Sequence, residues 1–230
     1  MSLYGVELVV ADNLEQAASI LADTLVEAAR AGRAMALTGG HSPGRAYQLA
    51  AERQPDWSGA SVWWGDERCV PPDDERSNYR LARENLLDRL EAQPAETHRI
   101  RGELGADAAA DEYDALLKDV RLDLVLLGVG PDGHTASLFS NTPALEERER
   151  RAVATEAKLE PFVDRVTMTI PMLASAAEVV FILTGADKAD AAERAFGRAP
   201  DPATPASLVR SSAGTTRVVA DHAAAARLLH

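Results

Sequence analysis

Asp132 and His134 lie two residues apart in the stretch "LDLVLLGVGPDGHTASLFS", residues 122–140, where a strongly apolar run breaks at glycines. Histidine both accepts and gives up a proton near neutrality, its ordinary pKa being about 6.5. A neighbouring carboxylate can hold its ring in one orientation and tautomer. The pair therefore reads as a proton-transfer site, with Gly130 and Gly133 permitting close approach of a substrate. The alternative is a structural or merely exposed histidine, the commoner fate of a lone His in a loop. No GxSxG elbow accompanies it, so a covalent acyl-enzyme has little support.

Two other loops carry residues of the right type. "LTGGHSPGRAY", residues 37–47, combines an apolar run, paired glycines Gly39 and Gly40, the hydroxyl of Ser42 and a helix that Pro43 can open. Converging N–H groups and a helix N-terminus make such a loop an anion cradle. It is neither a Walker A loop nor a full dinucleotide fingerprint, and it reads equally as a tight strand-to-helix turn. "WWGDERCVPPDDERSNYRLA", residues 63–82, places Asp66, Glu67 and Arg68 after a short apolar strand. These charges are either part of a site or a surface ion pair that fixes the loop. Arg165, before "VTMTI", and Lys188, in "LTGADKADA", are either surface charges or anion ligands at strand ends. His41, His98, His222 and His230 show no metal-ligand spacing, and the last three read as solvated.

These loops need a scaffold, and the chain supplies alternating elements. Strands are predicted near Val6–Val10, Ala34–Thr38, Val62–Trp64, Leu124–Val129, Ala152–Thr155, Val166–Ile170, Val179–Leu183 and Arg217–Ala220. Helices are predicted at Leu14–Ala31 with Asp12 as its cap, after Pro43, from a Ser77 cap to about Leu90, at Asp107–Leu117, at Lys188–Phe196 and after Asp221. A short helix is also expected to start just after His134. Runs such as VLLGV and VVFIL are apolar on consecutive residues, as strands buried on both faces are. The expected class is α/β, a three-layer α/β/α sandwich around a mostly parallel, Rossmann-like sheet, with ligands at the carboxyl ends of the strands.

The chain has 230 residues, 46% hydrophobic and 26% charged, enough for one substantial core. A single domain over 1–230 is expected, because too little chain follows the Ala/Pro-rich segment 199–206 to build a second. The net charge of −12 argues against nucleic-acid or anionic-membrane partners. It leaves room for a small anion, since a local cation cluster dominates within about 10 Å. The single cysteine, Cys69, suits a reducing compartment and cannot form an internal disulfide. No secretion-signal pattern or membrane-length apolar run is read, so a cytoplasmic, soluble protein is expected.

Taken in order, LTGGHSP, GDERCVPPDDERSNY, LLGVGPDGHTASLF, DRVTMTIPMLASA, LTGADKADA and PASLV resemble the 6-phosphogluconolactonases of the glucosamine/galactosamine-6-phosphate isomerase-like superfamily, over residues 34–210. The resemblance implies hydrolysis of 6-phosphoglucono-δ-lactone in the oxidative pentose phosphate pathway, with a phosphorylated sugar lactone as partner and no metal or other cofactor. It places Gly39, Gly40, Ser42 and Pro43 at the phosphate with Arg165 and Lys188. It places Asp66 and Arg68 beside the sugar, and makes His134, paired with Asp132, the proton-transfer residue. One departure is visible: His41-Ser42-Pro43 stands where the family commonly has Ser-Thr-Pro, and Gly44 then Arg45 stand where a basic residue often follows the proline. Two rivals remain at this level. A sugar-phosphate isomerase-deaminase would place a glutamate after the His loop, where this chain reads TASLFS. A non-catalytic sugar-phosphate sensor could dispense with the Asp132/His134 pair.

Overall fold

The structure is a computed structural model that describes residues 2–40 and 42–229. A short antiparallel strand β1 (Ser2–Leu3) turns into β2 (Val6–Ala11), and α1 (Leu14–Arg30) returns over the sheet to β3 (Ala34–Leu37). The cap of α1 is Asn13, not the expected Asp12: the Asn13 side chain accepts the N–H of Gln16 at 3.0 Å, while the Gln16 side chain accepts the N–H of Asp12. Asn13 is the residue placed to reach the third helical N–H, which is what a cap must satisfy.

Helix α2 (Pro43–Arg53) leads to β4 (Ser61–Trp64), and the chain then leaves the main sheet as β5 (Asp66–Arg68). Ser77 caps α3 as expected, but the helix covers only Asn78–Asn85, with a separate 3-10 turn at Leu87–Arg89. The Asn85 amide takes the Leu81 carbonyl at 2.9 Å, a side-chain competitor to helix continuation. After β6 (Glu96–His98), α4 (Ala106–Leu116) and β7 (Leu124–Gly128) come α5 (Pro143–Glu146), β8 (Ala152–Thr155), β9 (Arg165–Met168) and α6 (Ile170–Ala174). The chain closes with β10 (Glu178–Leu183), α7 (Ala189–Phe196), β11 (Thr215–Asp221) and α8 (His222–Ala225).

The main sheet has the order β1-β2-β11-β10-β7-β3-β4-β6, all parallel except the β1 edge. Right-handed crossovers put α1 and α2 on one face and α4 and α7 on the other, so the three-layer α/β class holds. Leu124 to Leu127 and Val179 to Leu183 are buried, which accounts for their unbroken apolar runs. The strands expected at 152–155 and 166–170 form β8 and β9, the second ending at Met168 because Ile170 opens α6, and neither joins this sheet. They pair antiparallel with β5 in a separate three-stranded sheet, β5-β9-β8.

In the main sheet the connection from β3 runs outward to β4 and that from β7 runs the opposite way toward β10. The carboxyl ends of β3 and β7 therefore flank a topological switch point, the crevice where open α/β sheets hold ligands.

Candidate active site

A cavity of about 490 Å³ fills that crevice. Gly39, Gly40, Ser42, Pro43, Asp66, Arg68, His134, Arg165 and Lys188 all line it, although they come from five separate stretches of chain. Asp132 does not line it and sits behind the imidazole instead.

The turn after β7 is built around that pair. Asp132 Oδ1 lies 2.6 Å from His134 Nδ1 and also accepts the His134 backbone N–H at 3.1 Å. Gly130 is required by close approach: a Cβ there would stand 2.1 Å from His134 Nδ1 and Cε1. Burial alone would raise the Asp132 carboxyl, but the hydrogen bond and charge of His134 outweigh it and hold the group below the ordinary range. The other face of the ring rests on Phe139, centroids 4.6 Å apart.

The helix expected after His134 does not form. Its polar groups go elsewhere: Thr135 Oγ1 donates to Gly128 O at 2.8 Å, Ser137 N to Thr167 Oγ1 at 3.2 Å, and Ser137 Oγ to Asp66 Oδ2 at 2.6 Å. Ala136 consequently takes a left-handed backbone, φ 49°.

After β3, Tyr47 of α2 satisfies both main-chain groups of Thr38, accepting its N–H at 3.0 Å and donating to its carbonyl at 2.7 Å. Gly39 follows, and a Cβ on it would fall 1.9 Å from Asn78 Oδ1. Ser42 makes no side-chain cap on α2. Its hydroxyl shares a 2.8 Å hydrogen bond with Thr184 beyond β10, joining two loops across the crevice. His41 lies outside the described residues. Arg45, the offset basic residue, turns away to Glu15 at 2.8 Å.

The β5 strand sorts its three charges by face. Asp66 and Arg68 point to the cavity, and Asp66 is held by Ser137 and by Asn78 Nδ2, which donates to Oδ1 at 3.1 Å. Glu67 points the opposite way and is the loop-fixing member. Its carboxylate accepts the N–H groups of Arg68, Asn78 and Tyr79 and the Ser77 hydroxyl at 2.7–2.9 Å, tying β5 to the start of α3.

Arg165 is no surface charge: it is 4% exposed and stands opposite Arg68 in the β5–β9 ladder. Burial, then the charge of Arg68, push its guanidinium below the ordinary arginine value against the pull of Asp66. The three cavity cations give their hydrogen bonds to carbonyls rather than carboxylates. Arg68 reaches Arg76 O, Arg165 reaches Pro161 O at 3.1 Å, and Lys188 reaches Val129 O at 3.1 Å. Such a set of buried and half-buried cations can receive an anion.

The chain as a whole has known relatives. The family model described as "Glucosamine-6-phosphate isomerases/6-phosphogluconolactonase" matches residues 9–218. The chain belongs to this family. It is 39% identical over 194 residues to a 6-phosphogluconolactonase of Mycobacterium leprae, covering 78% of each chain. It is 33% identical over 250 residues to a probable 6-phosphogluconolactonase of Arabidopsis thaliana, covering 96% of this chain and 93% of the other. The structure superposes on a 6-phosphogluconolactonase from Trypanosoma cruzi with a TM-score of 0.88 at 25% identity, covering 100% of this chain and 99% of that one.

Sequence reading of this family member missed Asn78, Thr184 and Ser137. Asn78 lay in plain view in the quoted SNY but carried no charge to mark it. His98, expected to be solvated, is half-buried: one ring face stacks on Trp63 with centroids 3.9 Å apart, while Nε2 lies 3.0 Å from the exposed Glu96 carboxylate. Among the described residues no group of three or more His, Cys, Asp or Glu could hold a metal ion, and no helix is long and apolar enough to cross a membrane.

Proposed function

We propose that this chain, as a single domain over residues 1–230, hydrolyses 6-phosphoglucono-δ-lactone to 6-phosphogluconate in the cytoplasm, with His134 as the proton-transfer residue. The observation that carries the reading is the Asp132–His134 pair. With Nδ1 bonded to the carboxylate at 2.6 Å, Nε2 is the ring nitrogen left for a cavity that also gathers Arg68, Arg165 and Lys188.

A lactone is an activated ester, so a base for water and a donor for the developing oxyanion suffice. In this reading neutral His134 takes a proton from water at Nε2 as the water oxygen bonds to C1. The resulting imidazolium, steadied by Asp132, returns that proton to the ring oxygen as the C1–O bond breaks. Acid–base help of this kind accelerates by about 10²–10⁴. Arg68 or loop N–H groups stabilise the oxyanion, each donor contributing about 10²–10³. The Gly39–Gly40 loop, Ser42, Arg165 and Lys188 take the phosphate, which is remote from C1 and therefore acts by positioning the ring.

The test is a lactonase assay on freshly generated substrate, corrected for spontaneous ring opening, with wild type beside His134→Ala. Loss of at least about tenfold in kcat with the fold retained is expected. Wild-type turnover by the variant would remove His134 from the chemistry. Ammonia release from glucosamine 6-phosphate would redirect the assignment to the isomerase-deaminase branch.

A further inference from the structure

The turn that carries Asp132 and His134 hangs by its carbonyls from the chain beyond β10. Val129 O accepts from Lys188 Nζ at 3.1 Å, Pro131 O from Arg194 Nη2 at 2.7 Å, and Gly133 O from Ala206 N at 2.9 Å. Inside the turn, Gly130 N donates to His134 O at 2.8 Å and Gly133 N to Gly130 O at 2.9 Å. Alternate carbonyls thus face outward and each has its own anchor.

Of the two side-chain anchors, Lys188 lines the cavity and Arg194, on α7, does not. Arg194 gives its terminal nitrogen to a neutral carbonyl, and its Nε is buried without a partner. Pro131 itself is exposed, so water would satisfy its carbonyl if the guanidinium were gone. The bond is therefore worth little to folding. What it does supply is a fixed position for the residue immediately before Asp132.

We propose that Arg194 is a positioning residue for proton transfer: by holding the Pro131 carbonyl it keeps the Asp132 carboxylate on Nδ1 of His134. This rests on the reading of His134 given above. Without the strut the turn is still anchored at Val129 and Gly133 and pivots between them, which misplaces Asp132 while leaving the cavity cations where they are. Misplacement of a catalytic group by about 1 Å costs up to about 10²-fold in rate, so the loss falls on kcat and not on KM.

The experiment measures kcat, KM and thermal unfolding for Arg194→Ala, Arg194→Lys, His134→Ala and the Arg194→Ala/His134→Ala double variant, on the full chain with the phosphorylated lactone. Arg194→Ala is expected to lose about ten- to a hundredfold in kcat with KM within about twofold. Arg194→Lys, which keeps a donor, should recover part of that loss. In the His134→Ala background, removing Arg194 should cost nothing more, because a residue acting only through His134 has nothing left to position. A crippled His134→Ala beside wild-type kcat in Arg194→Ala overturns this proposal alone, as does an equal loss in both backgrounds or a loss confined to KM. Wild-type turnover by His134→Ala overturns the reading of His134, and this inference with it. Should the alanine variant fail to fold, wild-type kcat in Arg194→Met, which keeps the aliphatic stem but has no donor for the Pro131 carbonyl, overturns the proposal in its place.

Discussion

Arg68 and Arg165 are register partners across the antiparallel ladder of β5 and β9, so two guanidinium groups meet on one wall of the cavity. Asp66, the nearby carboxylate, is tied up by Ser137 and Asn78. Arg68 thus repels the buried cation of Arg165, a cost that an anion bound between them would relieve.

Replacing the buried cation should therefore separate function from stability. Arg165→Met is expected to raise KM for the phosphorylated lactone at least about tenfold, equivalent to about 1.4 kcal/mol, without lowering the melting temperature. Inorganic phosphate should raise the melting temperature of the wild type by mass action and do so less in the variant. A destabilised variant with unchanged KM would contradict the anion-site reading.

Gly130→Ala tests the close approach under the imidazole. The new Cβ would fall 2.1 Å from His134 Nδ1 and 2.8 Å from Asp132 Oδ1. The ring must move, and kcat should drop at least about tenfold while circular dichroism stays that of the wild type. Full activity would mean the pair tolerates displacement.

Glu67→Gln should fail by hydrogen-bond polarity rather than by size. Both carboxylate oxygens receive donors, so an amide nitrogen at either position faces an N–H or O–H group. The expected loss is about 1–3 kcal/mol, read by denaturant unfolding, with activity falling because Asp66 and Arg68 flank it on β5. Unchanged stability would show that β5 does not depend on this tie to α3.

Cys69 should be a sluggish thiol. Burial first, then the charges of Asp164 and Glu67, push it up to about 11. At pH 8 its alkylation should be at least about tenfold slower than that of an ordinary cysteine, whose pKa is about 8.5. Because folding holds the proton, the sign of the linkage is that stability declines as pH rises from about 8.5 towards 11. Labelling at an ordinary rate would refute the burial argument.

The sequence by itself determined the layered α/β class and the family. Alternating apolar runs and helical periodicity report, over a few residues at a time, which faces are buried, and that is enough to order the elements. The ordered loop motifs likewise singled out Gly39, Gly40, Ser42, Asp66, Arg68, Asp132, His134, Arg165 and Lys188 before any of them had a neighbour. Only the tertiary structure decided that β8 and β9 leave the main sheet, that Arg165 is buried opposite Arg68, that Asp132 stands behind His134 rather than in the cavity, and that Ser137 reaches Asp66 across 71 positions of chain. The reason is physical: strand pairing, register and the placing of one buried polar group against another depend on long-range loop closure and mutual satisfaction. Neither partner's own short pattern contains that information.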